Sequence, residues 1–158
     1  MRSWHLLYDF RPERYAYAKT LVERASAIDP EIAEVNMILS LINHHIAIMG
    51  FGPDTQSAME TAYVLARRVA QLDDRNEYAH WALGISCWGL FKYEESLATL
   101  ERAVALNPNC SLADGSLGTL LGILGRSEEA IANQETAIRA NPLDPSIFFR
   151  RSTFALGH

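Results

Sequence analysis

Five histidines, two cysteines and two arginine pairs are the side chains with which this 158-residue sequence could do chemistry. A metal held by imidazoles on a helix needs its ligands three or four residues apart, so that they share one face. His44 and His45 are adjacent, which turns them about 100° apart on a helix. Neither has a histidine or cysteine three or four residues further on. His80 falls where a large residue packs between paired helices, and His5 and His158 stand alone near the two ends. All five read as structural or surface histidines, with no metal. Cys87 and Cys110 are 23 residues apart and form no CxxC pair. That usage fits a reduced, cytoplasmic chain. Cys87 reads as a small core residue and Cys110 as a junction residue, both chemically inert. The sequence contains no Walker-type loop, GxGxxG or GxSxG. Gly115, Gly118, Gly122 and Gly125 are spaced as in a close-packed helix and not as in a phosphate loop. The expectation is a non-enzyme without catalytic residues, cofactor or metal.

Charge narrows the partners. Fourteen Lys and Arg against nineteen Asp and Glu leave a net charge of −5, with no basic excess to neutralise phosphates. Direct nucleic-acid binding is therefore not expected. Arg67-Arg68 reads as a solvated helix face, and Arg150-Arg151 lies on a terminal helix. Residues 35–53 carry no Asp, Glu, Lys or Arg and approach the length of a membrane span. Asn36, Ser40, Asn43, His44 and His45 interrupt that run and Gly50-Phe51-Gly52-Pro53 ends it, which favours a buried helix off the membrane. The first residues lack the apolar core of a signal peptide.

The elements that must position these residues come from a repeat. A shift of 34 superposes Leu83-Gly84 on Leu117-Gly118, Glu94-Glu95-Ser96-Leu97 on Glu128-Glu129-Ala130-Ile131, Ala103 on Ala137 and Pro108 on Pro142. One step back, Asp74 takes the Pro108 position. The step from Pro30 to Asp74 is 44, one repeat plus ten residues. With 49% apolar and 21% charged residues the chain has the composition to fold. Each unit reads as two helices, A and B. Unit one is a short helix A over Ser3–Asp9 and a helix B over Glu13–Ile28. Unit two pairs Glu31–Met49 with Thr55–Leu72, and unit three Glu77–Leu90 with Tyr93–Leu106. A further A–B pair fills unit four, and a last helix A spans Pro145–Leu156. Small residues (Ala18, Ala62, Ser96, Ala130; Ala25, Ala103, Ala137) mark the crossings, and Gly84 lets helix B approach closely. Asn-Pro pairs stop helix B, because the residue before proline leaves the α region. Gly125 suits a left-handed cap.

The ten extra residues of unit two lie between its helices and lengthen each by about a turn. Gly50–Asp54 is then a projecting tip with Phe51 exposed on it and Asp54 or Thr55 as the next N-cap.

A fixed period of 34 is the length of the tetratricopeptide repeat (TPR), so the chain resembles an all-α TPR solenoid, a right-handed superhelix of about four and a half repeats. Its units are approximately 3–30, 31–76 with the insertion, 77–110, 111–144 and a terminal helix over 145–157 of one array, 1–158. Several strings add to this: Ala66-Arg67-Arg68-Val69-Ala70-Gln71-Leu72-Asp73-Asp74 leading to Ala79-His80-Trp81-Ala82-Leu83-Gly84, then Glu101-Arg102-Ala103-Val104-Ala105-Leu106-Asn107-Pro108, and Gly125-Arg126-Ser127-Glu128-Glu129-Ala130-Ile131. Together they are similar to the C-terminal TPR region of bacterial class III adenylate and guanylate cyclases, and to arrays that follow winged-helix domains in bacterial regulators. No strand-like segment exists here to hold the cyclase metal-binding aspartates, so no catalytic residue is carried over. The resemblance implies a regulatory or interaction region of a longer bacterial signalling protein.

Two contact surfaces follow. In TPR arrays the concave face is lined by positions 2, 5, 9 and 12 of each helix A. Here these include Met37, Leu41 and His44 (with Glu34), then Tyr78, Trp81, Ile85 and Trp88, then Leu112 and Thr119 (with Gly115 and Gly122). The face is aromatic and aliphatic, without the cations or amides that grip a terminal carboxylate. It suits an apolar helix or extended peptide. The unfinished last hairpin leaves Phe148, Phe149, Phe154 and Leu156 for self-association or an adjacent domain, so a homodimer is one expected assembly. A ligand-sensing face, or a dimerisation unit for an attached cyclase or DNA-binding domain, are the other functions this architecture admits.

Overall fold

The computed structural model describes residues 11–143, which form seven helices and, among the described residues, no strand. They are α1 (Pro12–Ile28), α2 (Ala33–Met49), α3 (Thr55–Leu72), α4 (Glu77–Gly89), α5 (Tyr93–Leu106), α6 (Ser111–Ile123) and α7 (Ser127–Ala140). The expected helices over Ser3–Asp9 and Pro145–Leu156 lie outside the described residues. So do His5, His158, Arg150-Arg151 and the four apolar residues assigned to self-association.

The four B helices end at Ile28, Leu72, Leu106 and Ala140, as the period requires. The stop is shared between proline and the residue that precedes it. The residue after each end is Asp29, Asp73, Asn107 or Asn141, out of helical geometry. In three of them the side-chain Oδ1 accepts from the backbone N–H two residues on: Glu31 at 3.0 Å, Arg75 at 3.2 Å and Asn109 at 3.0 Å. These side chains offer the backbone a turn in place of another helical bond. Asp73 does so with no proline behind it. The same turn delays α2, which starts at Ala33 and not at Glu31. Asp54 caps α3 by accepting from Ser57 N–H at 2.8 Å, and Asn76 caps α4 through the N–H groups of Tyr78 and Ala79.

The helices pair as antiparallel hairpins, α2 with α3, α4 with α5 and α6 with α7, and neighbouring A helices touch in the order α2, α4, α6. Each hairpin crosses at a pair of small residues in equivalent positions. Ser40 lies at Ala62, Gly84 at Ser96 and Gly118 at Ala130. The Ser40 hydroxyl donates to the Ala62 carbonyl at 2.7 Å, and the Ser96 hydroxyl donates to the Gly84 carbonyl at 2.7 Å. A Cβ on Gly84 would stand 2.6 Å from Leu100 Cγ, so only glycine fits that crossing.

Unit two is longer, as expected: α2 and α3 have 17 and 18 residues, against 13 and 14 in each following hairpin. Four residues add about 6 Å of rise, so its tip overhangs the edge of the stack. Phe51 corrects the expectation made for that tip. It is half-buried, not exposed, with its ring 5.6 Å from that of Tyr15 on α1. The first turn of α1 crosses the overhang, and the two rings bury each other. No described helix is long and apolar enough to cross a membrane.

Gly84→Ala should cost about 1–3 kcal/mol, because buried Leu100 has nowhere to move. Gly122→Ala, whose new Cβ would meet nothing nearer than 3.8 Å, should instead gain up to about 1 kcal/mol of helix propensity. Urea unfolding followed by circular dichroism reads both; equal effects would refute the close crossing.

Candidate functional site

The face assigned to partner binding is built from A-helix positions that repeat with the array. Leu41, His44, Trp81 and Ile85 are buried, whereas Met37, Tyr78, Trp88, Leu112 and Thr119 are half-buried. The buried four serve as floor between stacked helices. Trp81 shows how: its indole N–H donates to Ser116 Oγ at 3.0 Å, bridging α4 to α6. Thr119 is also tied down. Its hydroxyl donates to the Gly115 carbonyl at 2.9 Å and accepts from Gln134 Nε2 at 3.0 Å, while Gln134 reaches the same carbonyl at 2.9 Å. Burial, with Cys110 and Glu77 nearby, holds the Tyr78 phenol above its ordinary pKa, so it stays neutral. The half-buried residues therefore stand on a rigid base.

His44, His45 and His80, the described histidines, pack within the array. His44 is buried, and burial, then the charge of His45, pushes its pKa down to about 3. His45 is lowered by burial, opposed by the bond its Nδ1–H makes to the Leu41 carbonyl at 2.8 Å. The two rings meet edge to face at 5.7 Å, and His45 stacks on Tyr15 at 5.8 Å. His80 Nε2 donates to the Asp74 carbonyl at 2.9 Å. Asn36, its equivalent one unit earlier, donates from Nδ2 to the Pro30 carbonyl at 2.9 Å. Both side chains hold the turn six residues before them. No group of three or more His, Cys, Asp and Glu placed for a metal occurs among the described residues. Burial, followed by Glu95, pushes the Cys87 thiol up to about 12, and burial also raises Cys110. Neither offers a thiolate nucleophile at neutral pH.

One group carries no local signal in the sequence. Tyr63 on α3 donates its hydroxyl to the Glu95 carboxylate at 3.1 Å, and Lys92 Nζ lies 3.8 Å from the Tyr63 ring centroid. Arg67 donates to the Tyr63 hydroxyl at 3.3 Å. Its neighbour Arg68 pairs with Glu31 on the exposed surface.

Helical hairpins of this length, crossing at small residues with one tryptophan bridging units, have known counterparts. Tetratricopeptide repeat family models match residues 77–110 and 115–142. The chain carries tetratricopeptide repeats. Its fold is similar to that of TTC0263, a thermophilic TPR protein of Thermus thermophilus, with a TM-score of 0.71 at 19% identity over 92% of this chain and 82% of that one. It is also similar to a crystal structure of MamA, with a TM-score of 0.64 at 20% identity over 92% and 77%. A further MamA structure, labelled MSR-1, gives 0.60 at 20% identity over 81% and 68%. At such identities the likeness is one of fold. No curated protein matches the chain significantly.

Because the folded pKa of His44 lies below its ordinary 6.5, its contribution to stability is intact above pH 6.5 and falls away towards pH 3. By pH 5 the TPR array should have lost about 2 kcal/mol through this residue. His44→Leu should flatten the pH dependence of urea unfolding over that range; an unchanged slope would exclude His44 as its source.

Proposed function

We propose that this TPR array is a non-catalytic protein-interaction module that holds an apolar helix or extended peptide segment on its A-helix face. The observation that carries the reading is the set Met37, Tyr78, Trp88, Leu112 and Thr119. These residues are half-buried over the buried floor of Leu41, His44, Trp81 and Ile85. None of the nine is a cation or an amide, so the face has no grip for a carboxylate terminus. Aromatic anchors on a rigid base are the usual centres of binding energy. The sequence resemblance to the TPR regions of bacterial cyclases and winged-helix regulators supports placing the module in a larger cytoplasmic signalling protein. Pairing of two copies through Phe148, Phe149, Phe154 and Leu156 belongs to the same reading.

Peptides selected on the purified protein from a random library test the face. Trp88→Ala should weaken a selected apolar peptide by about 2 kcal/mol and keep a cooperative melt. Trp81→Ala should cost about 3–5 kcal/mol of folding stability, because it empties the floor. Loss of the cooperative melt in Trp88→Ala would make that residue core and end the proposal. For pairing, light scattering at high micromolar concentration should find a dimer that the Phe148→Ser, Phe154→Ser double variant abolishes; a strict monomer refutes it.

A further inference from the structure

The edge formed by the A–B hairpin tips is a second surface, separate from the A-helix face. Phe91 occupies the tip of unit three with a positive φ of 59°, where the next unit has Gly125 at 77°. A bulky side chain is disfavoured in this left-handed region, and glycine is the residue that suits it. The Phe91 ring is 77% exposed, and its aromatic contact is an edge-on approach to Tyr93 at 6.2 Å. Folding thus gains little from a residue it must strain to accommodate. Along the same edge Ile48, Ile123 and Leu124 are exposed at the neighbouring tips. The overhang of unit two stands beside them as a ledge.

Charge on this edge has the repeat's own spacing. Glu60, Glu94 and Glu128 occupy equivalent repeat positions on α3, α5 and α7, 34 residues apart, and all are exposed. None pairs with a cation among the described residues. The local cations are engaged elsewhere: Lys92 lies over the Tyr63 ring, and Arg126 is bonded to Glu129 at 2.7 Å.

We propose that the hairpin-tip edge docks an amphipathic basic helix of a partner protein, its apolar side on Phe91, Ile123 and Leu124 and its lysines or arginines on Glu60, Glu94 and Glu128. The left-handed strain at Phe91 is retained because the ring serves the interface. This surface does not include the side chains of the A-helix face, although the Phe91 N–H donates to the Trp88 carbonyl at 2.9 Å.

The probe is a fluorescein-labelled 21-residue amphipathic Leu/Lys helix, titrated with the intact protein and read by anisotropy. Binding in the micromolar range is expected, weakening with salt. Phe91→Gly should weaken it about tenfold or more while raising Tm by about 2–4 °C. The Glu60→Gln, Glu94→Gln, Glu128→Gln triple variant should lose the salt dependence. Phe91→Asn, tolerant of positive φ but polar, should weaken the peptide as Phe91→Gly does. Absence of binding, equal binding of a Leu/Glu counterpart, or undiminished affinity in Phe91→Gly would overturn the proposal. So would a dimer that Phe91→Gly dissociates while peptide affinity stays the same, which would make the edge a self-contact.

Discussion

Two helices can come close enough to share hydrogen bonds only where neither carries bulk, and each hairpin of this protein satisfies that condition at one crossing. The bond made there alternates in direction. In unit two the hydroxyl belongs to the A helix, Ser40, and reaches the carbonyl of Ala62; in unit three it belongs to the B helix, Ser96, and reaches Gly84. A helical carbonyl already accepts one bond along its own helix and has a second lone pair to offer. The crossing uses that spare capacity, so polarity is buried without an orphaned hydroxyl. The spacing set here carries outward. Close A–B contact leaves the opposite side of each A helix free to stack on the next, which is where Trp81 reaches Ser116.

Unit four solves the same problem with different atoms. Gly118 and Ala130 have no hydroxyl between them, and a Cβ on Gly118 would stand 3.0 Å from the Ala130 carbonyl oxygen. Gln134 fills the space instead, in the position that Leu100 holds in unit three, and its amide reaches Gly115 and Thr119. An apolar residue is thus exchanged for a polar one whose Nε2 finds two acceptors across the crossing. One consequence is that Thr119, on the proposed binding face, is oriented by a residue of the helix behind it.

The helices and the B-helix ends are legible in the sequence because a 34-residue period is a global constraint that averages over local ambiguity. Gly84, Gly125 and the small crossing residues are legible because sterics leave few alternatives. The Asx residues after each B helix stand in the sequence at 29, 73, 107 and 141, yet the prolines beside them are the louder signal; Asp73-Asp74, with no proline, is the clue. Phe51 is misleading because its partner, Tyr15, is 36 residues away and nothing local encodes that meeting. The same holds for Tyr63 with Lys92 and Glu95. Burial of Leu41, His44, Trp81 and Ile85 follows from helix stacking, which a position count along one helix cannot resolve into floor and surface.

The surplus length of unit two has a consequence for assembly of the chain itself. In an array of equal hairpins any unit can stack on any other, and a slip by one repeat is a characteristic misfolding route. Units three and four, with helices of identical length, are exposed to that error. Unit two is not interchangeable with either. Were it skipped or swapped, its extra helical turns would find no ledge to match, and Tyr15 would lose the aromatic surface of Phe51 and His45 on which it rests. The insertion therefore acts as a key for one position in the stack, giving unit two a neighbour, α1, that its overhang fits and the other hairpins do not.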